Sequence, residues 1–337
     1  MTVIRAALAG AIGLFATHAF AQAPAAGQAT WTGIADMPTI QVESGATLLD
    51  GKIFMMGGWA DQDAPYNKVQ IYDIAKNAWS EGVPLPEAPH HEGVVVVNGR
   101  IYVVGGFTEP FPKREPIDHV WMFDPATGKW EKRAPLPSPR GAGFAAAIGG
   151  LIYYAGGEHR RPPGAPAGPP GAPAAYEPLA NLAVYDPAKD SWKELAPMKV
   201  RRDHVYGGVV NGHLLIVGGR DRPVYNIDAV EEFDPATGAW TTRAPMPTGR
   251  SGGYGAALNG KFYAFGGEGN PVVPSGVYPQ VEAFDAATNT WTKFADMPLP
   301  RHSMVGIASG GEIYLPGGAV KRGGGELTAR GDAFEPK

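Results

Sequence analysis

The stretch Gly93-Val-Val-Val-Val-Asn98-Gly99-Arg-Ile-Tyr-Val-Val104-Gly105-Gly106 decides the fold. Two short β-branched runs flank Asn98-Gly99, a dipeptide that supplies the positive φ angles of a tight two-residue hairpin turn. The same arrangement recurs along the chain. The turn position is Asp50-Gly51, Asn98-Gly99, Gly149-Gly150, Asn211-Gly212, Asn259-Gly260 and Gly310-Gly311. The closing pair is Gly57-Gly58, Gly105-Gly106, Gly156-Gly157, Gly218-Gly219, Gly266-Gly267 and Gly317-Gly318, at intervals of 48, 51, 62, 48 and 51 residues. Trp31, Trp79, Trp130, Trp192, Trp240 and Trp291 each precede a pair by 26 residues, so all length variation falls between a Gly-Gly pair and the next Trp. Six constant segments joined by variable loops are a repeat architecture.

A second hairpin belongs to each unit. Asp73, Asp124, Asp186, Asp234 and Asp285 each stand six residues before a Trp, and four residues after each Asp comes Asn77, Gly128, Asp190, Gly238 or Asn289. These residue types tolerate the left-handed conformation that a turn needs. Four strands per unit, six times, predict a β-propeller. The chain carries 47 Gly and 33 Pro, a content that would suggest disorder if it had no period, but here both recur with the repeat.

The Gly-Gly pairs, the Tyr185-Asp186-Pro187 and Phe233-Asp234-Pro235 turns and the Trp six residues on resemble the kelch-repeat family. The resemblance covers residues 30–337. It implies an all-β, six-bladed kelch β-propeller with blades starting near residues 37, 85, 136, 198, 246 and 297. Phe334-Glu335-Pro336 repeats the third-strand signature, and Trp31 has no third strand before it. The ring is therefore expected to close with an N-terminal strand completing the last blade, three strands plus one, which leaves no open sheet edge.

Residues 1–21 read as a secretory signal: Arg5, an apolar run from Ala6 to Ala16, then Ala19-Phe20-Ala21. Residues 22–29 read as a short linker. The apolar run is about half the ~20 residues of a membrane span, and no later segment could cross. A cleaved, periplasmic and monomeric protein is expected. The absence of Cys excludes disulfides and thiolate metal sites, and with them a copper-radical site of the galactose-oxidase type, which resembles a Tyr cross-linked to Cys. A formal charge of −4 argues against nucleic acid as a partner.

The start of each first strand and the end of each second strand should surround the mouth of the central channel, and kelch proteins by resemblance bind ligands there. The ligand-binding candidates are Glu43, Trp59, His90, His91, Phe107, Glu158, Asp203, His204, Arg220, Ser251, Glu268 and His302. Trp59 and Phe107 are candidate stacking surfaces. Arg140, Arg202, Arg250 and Arg301 recur in one column and read as structural, whereas Gln41 and Pro89 interrupt it and read as site candidates. The Pro/Gly/Ala loop of residues 159–180 cannot build a core and leaves from the mouth.

Three functions fit these residues. The first is a binding module for a protein, peptide or glycan, with no catalysis and no cofactor. The second, by resemblance to the exported sialic-acid mutarotase (N-acetylneuraminate epimerase), is a sugar isomerase in which carboxylates or histidines move protons and an Arg pairs with the substrate carboxylate. Glu158, Glu268, His204 and Arg220 could supply these groups. The third is a divalent-metal site from His91, His204, Glu43 and Glu158, since imidazole and carboxylate suit such ions. Binding is the leading expectation, and neither catalytic residues nor a metal are assigned.

Overall fold

The computed structural model describes residues 26–60, 64–110, 113–165 and 175–337. The expected leader and the Pro/Gly/Ala run at 166–174 lie outside these residues. Every regular element described is a β-strand; six four-stranded antiparallel blades, one of which gains a fifth strand, hold all but two short two-stranded hairpins. Blade one illustrates the order, from Gly45–Leu49 nearest the axis through Lys52–Met56 and Val69–Asp73 to Ala78–Glu81 outermost. No helix among the described residues is long and apolar enough to cross a membrane.

The turn chemistry accounts for the hairpins. Asn98 and Gly99 sit at φ 51° and 72°, and the five equivalent dipeptides are left-handed at both positions. Asn77, Gly128, Asp190, Gly238 and Asn289 are left-handed in the outer hairpins. In the last blade the strand Gly331–Pro336 pairs along its whole length with Ala29–Ile34, with Trp31 opposite Phe334. The termini of the described chain are thus joined in one sheet.

Adjacent blades meet in three layers. At the periphery, the ring N–H groups of Trp79, Trp192, Trp240 and Trp291 donate to the carbonyls of Ala35, Ala134, Ala196 and Ala244, each at the end of the preceding blade. Between blades, Met37, Leu85, Leu136, Met198, Met246 and Met297 are all buried. Nearer the axis the Gly-Gly pairs form a joint. Gly106 N–H donates to Arg140 O of the next blade at 2.9 Å. A Cβ on Gly105 would stand 2.6 Å from that same oxygen, at a φ of +61°. Both the backbone conformation and the close approach therefore demand glycine.

The arginine column belongs to this joint. Arg202, Arg250 and Arg301 are fully buried and pair with Glu231, Glu282 and Asp332, at 2.8, 2.5 and 2.8 Å. They also donate to strand carbonyls such as Gly218 O, Gly266 O and Leu315 O. Gln41 plays the same part in blade one, donating to Gly57 O at 2.7 Å and accepting from the Gln70 amide. Its reading as a site residue is corrected, because it is buried and its hydrogen bonds are spent on the blade. Pro89 likewise contributes only its carbonyl, which accepts from Gly58 N–H.

Arg140 is the exception. It is fully buried, none of its guanidinium nitrogens has a hydrogen-bond partner among the described residues, and it lies 5.3 Å from the Tyr154 ring centroid. The register explains this. The position of Glu231, opposite Ile216, is occupied in blade three by Ala183, opposite Tyr154. The aromatic ring takes the place of the acid.

Breaking a buried pair leaves an uncompensated charge, at a cost of about 3–5 kcal/mol. Glu231→Ala is expected to destabilise the protein by that amount in chemical denaturation, whereas Glu131→Ala on the exposed outer strand should stay within about 0.5 kcal/mol. Equal effects would show that the Arg202–Glu231 pair is not a structural joint.

Candidate functional site

The mouth is built on a ring of backbone hydrogen bonds. One residue per blade, at the entry to the first strand, is left-handed: Glu43, His91, Ala142, His204, Gly252 and Ser303, with φ between 50° and 61°. Each donates its N–H to the carbonyl of the one before. His91 bonds to Glu43 at 2.7 Å, Ala142 to His91 at 2.9 Å and His204 to Ala142 at 2.8 Å. Gly252 bonds to His204 at 3.0 Å, Ser303 to Gly252 at 3.0 Å, and Glu43 closes the circle on Ser303 at 3.3 Å. This collar separates two spaces, and Glu43, His91 and His204 line both. Below it runs the axial channel, about 110 Å³, walled by first-strand residues such as Gly45, Gly93, Ala145 and Tyr254. Above it opens a cavity of about 240 Å³, lined also by Trp59, Arg114, Arg220, Arg222, Tyr225, Glu268 and Arg322.

The residue before each collar position pairs back to the residue after the Gly-Gly pair, as in His90 with Phe107, Asp203 with Arg220, Ser251 with Glu268 and His302 with Ala319. Of the residues in these bridges, Trp59, Arg220 and Glu268 line the cavity, whereas His90, Phe107, Ser251 and His302 do not. The expectations for His90, Phe107, Ser251 and His302 are corrected accordingly. All four are essentially buried behind the lining. Phe107 cannot stack on a ligand, because the Arg114 guanidinium, 4.9 Å from its centroid, and the His90 ring, at 5.5 Å, cover it. Trp59 does line the cavity, resting on the His90 ring at 4.3 Å.

Arg220 is the electrostatic hub. Its Nε donates to Asp203 Oδ1 at 2.9 Å and its Nη1 to Glu268 Oε1 at 2.6 Å. Burial alone would raise both acids. Arg220, the largest of several opposing contributions that together outweigh burial, helps to bring Glu268 down to about 2 and to hold Asp203 well below the usual carboxylate range. Glu158 is paired with Arg114, and with Arg222 at 3.4 Å. Those cations keep it out of the Glu43–His91–His204 cluster, so the four-residue metal set expected from sequence reduces to three. Four of the lining residues, Arg114, Arg222, Tyr225 and Arg322, escaped sequence reasoning because they sit in the variable loops, where the repeat sets no register.

Three hairpin extensions make the rim: Phe107–Thr108 with Glu115–Pro116, the end of Leu151–Arg160 with Tyr176–Pro178, and Ala319–Lys321 with Gly325–Leu327. The first two are tied by Arg160 to Glu115 at 2.5 Å and by the Tyr176 hydroxyl to Arg114 O. His159 pairs with Glu177 at 3.0 Å on this rim.

A model of the kelch repeats of KLHDC2, KLHL20 and DRC7 matches residues 26–157, and a kelch motif matches residues 207–247 and 250–298. The chain belongs to the kelch-repeat β-propeller family. Kelch-like protein terF of Aspergillus terreus is 32% identical over 87% of this chain, which spans 64% of that protein. Kelch-like protein 35 of Mus musculus is 29% identical over 57% of the chain and 29% of its own length. The chain thus spans less than two thirds of either relative. Among solved structures, that of YjhT superposes with a TM-score of 0.73 at 16% identity, covering 88% of this chain and 95% of its own. That likeness is one of fold.

Below the collar, Glu92 lines the channel and accepts from Gly45 N–H at 2.8 Å through Oε1, while Oε2 is buried without a partner. Burial pushes its carboxyl from 4.5 up to about 8, against the Gly45 bond and with a small addition from Glu43. A folded pKa above the unfolded one gives stability that is full below 4.5 and is lost as pH rises through about 8. Burial holds His90 down at about 3 and His91 well below the usual 6.5, so both are neutral in either state above 6.5. Between pH 6.5 and about 8 the wild-type melting temperature is therefore expected to fall, and Glu92→Gln, which keeps an acceptor for Gly45, to flatten the decline. Parallel profiles would show that Glu92 is ionised throughout.

Proposed function

We propose that this is an exported kelch propeller that binds a small carboxylate-bearing ligand in the mouth cavity. The observation that carries the reading is that two guanidinium groups lining that cavity, Arg222 and Arg322, are incompletely paired. Arg222 reaches Glu158 only at 3.4 Å, and Arg322 stacks on Tyr225 at 4.4 Å without an ion pair among the described residues. Guanidinium forks match carboxylates in geometry and charge. Trp59 and Tyr225 add aromatic wall for a ring or an alkyl stem. A cavity of about 240 Å³ suits a monosaccharide acid or one acidic side chain better than a drug-sized molecule. Export is supported by the leader pattern of Met1 to Ala21.

Against a proton-carrying role for Glu268, one of the groups an isomerase would use, stands its pairing with Arg220. An isomerase needs a group that holds a proton near neutrality to protonate the ring oxygen. Arg220 helps to keep Glu268 ionised down to about pH 2 and to hold Asp203 ionised as well. These carboxylates orient Arg220 and do not carry protons.

Calorimetry against sugar acids such as N-acetylneuraminate and galacturonate, and against neutral galactose, tests the reading. Acids should bind and galactose should not. Arg322→Ala, on the exposed lip, should weaken binding about 10- to 100-fold, the size of a hydrogen bond to a charged group. Equal binding of neutral sugars, or an unchanged Arg322→Ala, would remove the carboxylate reading. Binding by acidic peptides alone would move the ligand to a protein.

A further inference from the structure

We propose that Glu43, His91 and His204 hold a divalent transition-metal ion at the collar, on the floor of the mouth cavity. The hydrogen-bond chain behind the histidines fixes their tautomers. His90 Nε2 faces Glu109 O at 3.0 Å. A carbonyl only accepts, so that nitrogen carries the proton and, in the neutral ring, His90 Nδ1 accepts. His91 Nδ1, 2.6 Å away, must then be the donor, which leaves His91 Nε2 as a bare lone pair. On the other side His204 Nδ1 donates to Asp203 Oδ1 at 2.5 Å, which in the neutral ring leaves His204 Nε2 bare as well.

The two lone pairs face each other at 3.1 Å, and His91 Nε2 stands 3.0 Å from Glu43 Oε2. Glu43 Oε1 is already occupied by the Ser303 hydroxyl at 2.6 Å, so Oε2 is the free oxygen. With both rings neutral, three acceptors converge, an arrangement that a cation between them, a proton or a metal ion, relieves. Their spacing suits one. Metal–nitrogen distances of 2.0–2.1 Å in a tetrahedral site put neighbouring donors about 3.3 Å apart. Arg220 does not take the position. Its Nη2 lies 3.1 Å from His204 Nδ1 and 2.9 Å from Nε2. A group nearly equidistant from both ring nitrogens sits over the ring face, since in the plane it would collide with Cε1. The in-plane lone pair of Nε2 stays directed at His91.

Asp203 behind the His204 ring and the His90 relay behind His91 are the kind of partners that orient metal-bound imidazoles. All three ligands sit on collar residues whose backbones are locked by the ring of N–H to carbonyl bonds, so the donor set is preorganised. Two imidazoles and one carboxylate favour zinc, iron or cobalt over magnesium or calcium, which prefer oxygen. Three protein ligands leave at least one coordination position, and because the residues line both cavity and channel that position is reachable from the mouth.

The test is titration of the chelator-treated full chain with Co(II), read by its visible absorption, and with Zn(II) by calorimetry. No organic ligand is present, so the outcome is independent of the carboxylate reading. One equivalent should bind, with the intense absorption of a low-coordinate cobalt site, and Mg(II) should not displace it. Glu43→Gln keeps the Ser303 contact, so the metal-free variant should melt with metal-free wild type while its affinity falls at least about tenfold. His91→Gln should fall at least as far, loss of a ligand costing no less than loss of an outer-shell partner. Absence of binding, or unchanged affinity and stoichiometry in both variants, which would put the ion on surface histidines such as His159 or His213, would overturn the proposal.

Discussion

The collar of six backbone hydrogen bonds is the constraint from which the rest of the molecule follows. A residue in the left-handed conformation turns its N–H toward one neighbouring blade and its carbonyl toward the other, so one such residue per blade closes a circle. The conformation costs an L-residue roughly 1–2 kcal/mol, and glycine would be the least costly occupant. The chain uses glycine once, at Gly252, and places Glu43, His91, Ala142, His204 and Ser303 at the other positions. Ala142 shows that the backbone tolerates a Cβ there without any functional group. What sets Glu43, His91 and His204 apart is the chemistry that a rigid ring then points at one place.

Two populations of arginine divide the electrostatics. Those of the column lie outside the collar, and Arg202, Arg250 and Arg301 each face an acid on the third strand of their own blade and hold the joint between blades. The mouth arginines lie above the collar and meet acids from neighbouring blades, as Arg220 meets Glu268 and Arg222 meets Glu158. Buried pairs contribute little net stability once desolvation is counted, so neither set is explained by energy alone. The column fixes register. The mouth set fixes the orientation of its own donors, and its pairing is incomplete at Arg222 and Arg322.

The blades were legible because each hairpin turn needs positive φ and each inter-blade joint excludes a Cβ, constraints that Asn98-Gly99 and Gly105-Gly106 express residue by residue. Glu43, His91 and His204 could be placed at the mouth because they occupy equivalent positions of the repeat. His90 and Phe107 were placed there as well, since proximity in sequence to the mouth does not show what covers a side chain; Phe107 lies under the Arg114 guanidinium, and His90 under Trp59. Arg114 and Arg322 were out of reach for a different reason. They sit in hairpin extensions whose lengths differ from blade to blade, so no alignment of repeats could bring them to the cavity.

The same logic locates function in a repeat protein generally. Where six blades agree, as in the Gly-Gly pairs and the buried Met/Leu positions, the residue serves the ring. Where they differ at a position whose backbone is identical, the difference is free of any folding requirement. The collar column reads Glu, His, Ala, His, Gly, Ser around one closed circuit, and the outer acid column reads Gln70, Trp121, Ala183, Glu231, Glu282, Asp332. The second sequence of differences is answered locally, by Gln41 for Gln70 and by the Tyr154 ring for Ala183. The first is not answered within any one blade: Glu43, His91 and His204 come from blades one, two and four and meet only because the ring closes. A site that exists only in the closed ring is a property of the assembled propeller rather than of its repeats.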